Sequence, residues 1–500
     1  MRYYILIFLF VVGCNKEPVG NVEKDLDSAS SRLIRINEYY CSFDIAEGIM
    51  LFPIDHSSVN EFIGIVEYSE EHYGSLYING AMVNNGDSFN FGEINVSDTV
   101  GVTFKIGSDE FKYDLLFTTL PTVLIFTEDE IVNEPKILSQ VIVNDLLENN
   151  MHQVYSGIEI RGGTSRRFPK VSYDLELWAD KNGSDTFKET FLRLRNGDDW
   201  HLDAMYIDLS KSRNILGMEL WSLFARAQYL AEEDRAQLSQ RGHLVEVFLN
   251  NRYLGIYSLN EQIDRKQLRL KKNGGILYKS FAWNPETLFE GIEEEPNPTL
   301  KWRGYEIKHP ELMDVDNWEP LYNLIDLVAY SDDHTFINSI YEHIDYKNVV
   351  DYYLLINMIQ ASDNFGKNMF LCRYDRGYPL FFVPWDLDLA FGNKNSKYTE
   401  NDPNDLILTN QLFDRLYQLD VNSYRNDVKL RWQEIYQTTF SENFMDIAGA
   451  NINKIIVANA DVRDNKRWNL TTDYNVELEY LKTWLSDRFT FLDEYITANY

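Results

Sequence analysis

The spacing of hydrophobic positions changes character along the chain. Residues 3–13 form an unbroken apolar run behind Met1-Arg2, ending at Cys14. About 11 apolar residues are too few to span a hydrocarbon core as a helix, but they suit the core of a secretory signal. Residues 15–32 are polar, as a flexible tether is. From 33 to 119 short runs of Ile, Val, Phe and Tyr are broken by turn signals, at 62–68, 74–78 followed by Asn79-Gly80, 98–106 and 111–118. That rhythm predicts a small all-β module, an immunoglobulin-like sandwich. Leu120-Pro121 opens a strand at 122–126, and strands then alternate with segments of helical apolar spacing, at 207–230 and 349–360. The last hundred residues read as helical almost throughout. The expected organisation is an α+β chain: signal 1–14, tether 15–32, β module 33–119, and one large domain 120–500.

Composition narrows the options. The 500 residues carry 47 Lys+Arg against 78 Asp+Glu, a formal charge of −31, which argues against nucleic acid as a partner. A hydrophobic share of 44% excludes global disorder. Three cysteines cannot build a disulfide scaffold, and no Cys/His spacing suits zinc. Val11-Val12-Gly13-Cys14 resembles a bacterial lipobox, which implies cleavage before Cys14, acylation of that cysteine and a lipid anchor in a membrane. The expected location is the cell envelope, on the outer membrane or cell surface. Cys41 and Cys372 are expected as buried thiols, with a bridge between them left open.

The chemistry concentrates in 347–391. Val349, Tyr353, Ile356 and Gln360 fall on one helical face, and the helix gives way at Ala361-Ser362-Asp363. A loop to Asn368 leads into apolar strands at 369–374 and 378–383, joined by Asp375-Arg376-Gly377 and ending in Pro384-Trp385-Asp386-Leu387-Asp388. A hairpin turning about Arg376 sets residue 368 opposite 384, so Asn368 and Asp386 become neighbours beside Asp363. Phosphoryl transfer needs a carboxylate to orient a hydroxyl and hard oxygen ligands for Mg²⁺, and protein kinases space these groups as Asp-x4-Asn, then a hairpin, then Asp. No Walker A pattern occurs.

Six blocks in order resemble the CotH kinase-like proteins, from about Leu120 to Trp484. They are 158–173 (Arg161-Gly162-Gly163-Thr164-Ser165, then Pro169-Lys170), 200–214, 245–265, Asp363 to Asn368, 384–392 and 412–416. The resemblance implies an atypical protein-kinase-like fold that binds ATP with Mg²⁺ or Mn²⁺ and phosphorylates protein hydroxyls. Carried over by position, Asp363 is the catalytic base, and Asn368 and Asp386 are metal ligands. Arg161, Gly162, Thr164 and Ser165 belong to a phosphate-covering turn. Lys170 or its rival Lys279 pairs the phosphates. Glu261 orients that lysine, or else pairs with Arg265 on a surface helix. Arg213 and Asp388 are either phosphate or metal contacts or structural groups, and Glu293-Glu294-Glu295 is a solvated loop. The resulting expectation is a membrane-tethered kinase acting on Ser/Thr of an extracytoplasmic protein. Its rivals are an inactive kinase fold serving as an envelope binding module, and a glycoside hydrolase using either the Asp386/Asp388 or the Asp363/Asp386 pair of carboxylates.

Overall fold

Residues 33–310, 317–393, 402–439 and 444–500 are described in the computed structural model, Thr164 by its backbone alone. Cys14 and the tether at 15–32 lie outside the described residues. The architecture is mixed α+β.

The first ten strands make two sheets. One runs in the order Tyr39–Tyr40, Arg35–Ile36, Ser58–Glu67, Ser88–Asn95. The other runs Ser42–Asp44, Ile49–Pro53, Asp109–Thr118, Val100–Ile106, Ser75–Ile78, Ala81–Val83. Alternation sets their inner faces: Val100, Val102 and Phe104 are buried while Gly101 and Lys105 face water. Both sheets feed one apolar core, with Phe43 edge-on to Tyr113 at 5.5 Å. Cys41 sits in this core and Cys372 in a separate one, so both remain free thiols and no bridge forms between them.

This module is sewn to the next one. Asn144 Nδ2 donates to the Tyr40 carbonyl at 2.8 Å and its Oδ1 accepts from Tyr40 N at 3.1 Å, while Leu124, Phe126 and Ile142 enter the module's own core. Leu124 and Phe126 come from Thr122–Phe126, the first strand of a closed seven-stranded barrel. The barrel continues through Ile137–Asp145, Asn150–Arg161, Ser172–Trp178, Asp199–Asp203, Arg252–Glu261 and Gly242–Leu249, which pairs back with Thr122–Phe126. Its core takes Ile158, Tyr173, Leu175, Trp200, Leu202 and Leu259, so the alternate positions Arg161, Asp174, His201 and Asp203 belong to the polar outer wall. Closure depends on long-range pairing, which the strand pattern alone does not specify.

A second, five-stranded sheet follows in the order Lys301–Trp302, Tyr305–His309, Ile276–Ser280, Met369–Arg373, Leu380–Pro384. Helices cover it. Tyr346–Met358 is buried over every residue from Asn348 to Met358, not on one face as its apolar spacing suggests. It runs through the middle of the helical layer, and its polar Asp351 is met there by Arg226 (2.7 Å) and Arg431 (2.8 Å). Gln360, expected on the same helix, has already left it at φ +49°. The helix expected at 207–230 is shorter, Arg213–Phe224, because the buried Asp208 carboxylate accepts from Ser212 N (2.9 Å) and Arg213 N (2.8 Å) and fixes its start. The C-terminal hundred residues supply Gln411–Gln418, Tyr424–Thr439, Phe444–Val457, Ala460–Trp468 and Tyr474–Asn499. Among the described residues no helix is long and apolar enough to cross a membrane.

Candidate active site

The hairpin of Met369–Arg373 and Leu380–Pro384 carries the site at its open end. Its register pairs Met369 with Pro384, so 368 stands opposite 385, one residue away from the expected 384. The shift follows from the turn. Tyr378 N donates to Asp375 O at 3.1 Å, leaving Arg376 and Gly377 as central residues, and Gly377 takes the φ of +82° that this position of a tight turn favours in glycine. The centre therefore lies between 376 and 377.

Beyond the strands, Asn368 and Asp386 both turn into the left-handed region, at φ +52° and +56°. Asn368 Nδ2 lies 3.5 Å from an Asp363 carboxylate oxygen and 3.4 Å from one of Asp386. The loop that brings Asp363 here is held by backbone contacts: Lys367 N donates to Asp363 O (2.9 Å), and Asn410 Nδ2 donates to Phe365 O (2.7 Å). Asn364, fully buried, donates to the carbonyls of Asn368 (2.6 Å) and Trp385 (2.8 Å) and stitches the loop to the hairpin end. Asn214, the second residue of Arg213–Phe224, accepts from Leu387 N at 2.9 Å and fixes the following turn. Asp363 is 5% exposed and ion-paired to Lys367 at 2.9 Å.

Asp386 is exposed to solvent. Desolvation by its neighbours, with Asp203 and Asp363 adding like charge against Lys367 and Arg161, raises its carboxyl above the usual range. Half-buried Asp388 is pushed well above its usual range by burial and then by the charges of Asp386 and Asp208. Among the described residues no three His, Cys, Asp or Glu side chains form a protein cage for a metal. Mg²⁺ does not require one, since it binds through one or two carboxylates together with substrate phosphates. Two aspartates two residues apart, with the charge of Asp386 disfavouring the anion of Asp388, are a donor set that fits such a cation.

Cations lie near these carboxylates. Lys279, on Ile276–Ser280, lies over the Trp385 ring with Nζ 3.7 Å from its centroid. Burial, with Arg161 and Lys308 nearby, lowers its pKa to about 8, while Glu306 and Asp386 oppose the shift. Arg161 ends its barrel strand 5.5 Å from the same ring and pairs with Asp203 (2.5 Å) and Asp174 (3.0 Å). Gly162 follows at φ +102°, a backbone conformation that favours glycine, and an added Cβ would stand 1.9 Å from Ser165 Oγ and displace that hydroxyl. Thr164 and Ser165 begin the short helical turn Thr164–Arg167.

Other expected site residues are placed elsewhere. Lys170 is wholly buried against Asp464 (2.9 Å) and the Ile256 carbonyl (2.5 Å), under the helix Ala460–Trp468, and its partners include none of the residues around Asp386. Of the two rival lysines, Lys279 is the one beside Asp386. Glu261 does not orient either lysine. It closes a barrel strand, fully buried, accepting from Arg195 N (2.6 Å) and pairing with Arg241 (2.5 Å), not with Arg265 on a helix. Arg213 is buried against Asp208 (2.6 Å) and Glu477 (3.5 Å), a structural pairing. In the run expected as a solvated loop, Glu293 pairs with Arg303 and Glu295 accepts from Tyr322 OH at 3.0 Å. Lys367, Trp385, Asn364 and Asp203 join the site without a sequence motif of their own. Their only sequence signal is adjacency to Asp363, Asn368 and Asp386, or membership of the 200–214 block.

The separated blocks and the geometry they build agree with a comparison to known families. A family model described as CotH kinase protein matches residues 158–492, about two thirds of the chain. The chain belongs to that CotH kinase family. The match begins inside the barrel strand Asn150–Arg161, so the two-sheet module and the first two barrel strands precede it. A search of curated proteins finds no match.

Proposed function

We infer that the protein is an atypical, kinase-like phosphotransferase that passes the γ-phosphoryl group of ATP to a Ser or Thr hydroxyl of an extracytoplasmic protein. The observation that carries this reading is the meeting of Asp363, Asn368 and Asp386 within 3.5 Å contacts at one hairpin end, with Lys279 and Arg161 beside them. In this reading Asp363 accepts the proton of the incoming hydroxyl, and Lys367 holds its carboxylate in place. Asn368, Asp386 and Asp388 would hold Mg²⁺ or Mn²⁺, which when bound neutralises phosphate charge and orients the γ-phosphate for in-line attack. Lys279 pairs with the phosphates. The turn from Arg161 through Gly162 to Ser165 covers them, with backbone N–H groups available where glycine allows close approach. Cys14 supplies the lipid anchor, residues 15–32 the tether, and the immunoglobulin-like module at 33–119 sets the kinase domain off from the envelope membrane.

The test is transfer of labelled phosphate by the purified chain, to itself or to added protein, with Mg²⁺ or Mn²⁺. Wild type transfers; Asp363→Asn and Asp386→Asn do not, while their melting temperatures stay near wild type. Wild-type incorporation no greater than that of the two variants overturns the reading. Stabilisation of wild type by ATP with the cation, with no transfer, would favour the binding-module alternative.

A further inference from the structure

The lysine that meets the phosphates in kinases is ordinarily held by a carboxylate from a helix. Here the carboxylate expected for that task, Glu261, is spent on Arg241 and the Arg195 amide. Among the described residues no carboxylate lies within ion-pair distance of Lys279. Glu306, its cross-strand neighbour, is contacted by Lys308 at 3.4 Å. What Lys279 touches is an indole, and no other lysine lies as close to an aromatic ring among the described residues.

The indole is itself fixed. Trp385 N donates to Asn368 O at 3.0 Å, and Phe370 stacks on the ring at 5.8 Å with 17° between planes. Trp385 immediately precedes Asp386, so one residue of chain links the surface carrying the cation to the group read as a metal ligand. Arg161 reaches the same ring from the barrel wall. The ring is thus a surface shared by the hairpin end, the neighbouring strand Ile276–Ser280 and the start of the Gly162 turn.

Resting on the phosphotransferase reading, the geometry points to Trp385 as a positioning residue: its ring clamps Lys279 for the polyphosphate of a nucleotide, while Arg161, at the same ring, stays paired with Asp203 and Asp174. A cation over an aromatic face is held without a fixed counter-charge. Its ammonium therefore remains free to pair with an incoming anion, whereas a lysine locked to a buried carboxylate must break that bond first.

The test measures binding of ATP and of inorganic tripolyphosphate, each with Mg²⁺, to the full chain by titration calorimetry, with melting temperatures recorded for each variant. Trp385→Leu is expected to weaken both ligands about tenfold, and Trp385→Phe, which keeps a ring, by a smaller factor. The Lys279→Met/Trp385→Leu double variant is expected to bind no more weakly than Lys279→Met alone, because the indole acts through the lysine. A purely structural role for Trp385 would instead add its loss to that of Lys279→Met. Additive losses, or Trp385→Leu binding as wild type does, overturn the clamp; the phosphotransferase reading then still stands if wild type transfers phosphate and Asp363→Asn does not. A wild type that neither binds nor transfers removes both. Should Trp385→Leu fail to fold, Trp385→Phe decides the matter in its place: a loss in wild type that vanishes in the Lys279→Met background supports the clamp, and one that persists overturns it.

Discussion

Lys170 and Lys279 carry the same shift from the same cause but sit among different partners. Burial lowers each to about 8, yet Lys170 has no side-chain exposure and is saturated by Asp464 and a carbonyl, while Lys279 is half-buried and rests on a ring. The first seat joins the barrel to the C-terminal helices. Asp464 also accepts from Ile256 N at 3.0 Å, and an added Cβ at Gly255 would stand 2.1 Å from its carboxylate. The second seat is partly exposed and lies near Asp386. A perturbed ammonium is therefore no guide to function by itself; what separates the two is whether a partner could still be added.

The comparison can be broken in several places. The largest effect is expected at the site carboxylates: Asp363→Asn should lower phosphotransfer on the order of 10³-fold with little change in melting temperature, measured by radiolabel incorporation. At the buried seat Lys170→Met leaves Asp464 charged and unpaired, at a cost of about 3–5 kcal/mol, read as a lower midpoint in urea. Its phosphotransfer per folded molecule should be unchanged. Lys279→Met should show the reverse, with kcat/KM for ATP down about tenfold or more and a near-normal urea midpoint. A Lys170 variant that lost activity without losing stability would erase the distinction.

A pH profile gives a smaller, sharper test. If Lys279 pairs the phosphates, as the phosphotransferase reading has it, it does so only when protonated, so kcat/KM for ATP should fall as pH rises through about 8, and Lys279→Arg, which keeps its charge, should abolish that limb. Stability moves the other way. The folded pKa lies below the ordinary 10.5, so between about 8 and 10.5 the unfolded chain binds more protons and this group's contribution to stability rises with pH.

The sequence made the hairpin visible because two β-rich runs flank a Gly-containing turn, and Asp-x4-Asn falls before the first run. It could not fix the register, which depends on whether one residue or two form the turn's centre; that single residue separates 384 from 385. Barrel closure was hidden for the same physical reason, since the pairing of Thr122–Phe126 with Gly242–Leu249 joins segments more than a hundred residues apart. The choice between Lys170 and Lys279 was also out of reach. It depends on Asp464, almost three hundred residues beyond Lys170, and on a Trp whose role is set by what lies over its face. The buried helix Tyr346–Met358 misled through its charged and amide residues, whose partners Arg226 and Arg431 lie far away in the chain.

The backbone at Asn368 and Asp386 carries a last consequence. Both side-chain-bearing residues occupy a conformation that costs little in glycine and more in any other residue, although Asn and Asp tolerate it best. Glycine at 368 should fold slightly more stably, by about 1 kcal/mol or less, and leave no amide between the two aspartates. Selection for robustness alone would thus push this hairpin toward glycine, and the pair marks a spot where thermal endurance and chemistry pull the sequence in opposite directions. An engineer raising the melting temperature should expect the most tempting backbone repair to be the one that empties the site.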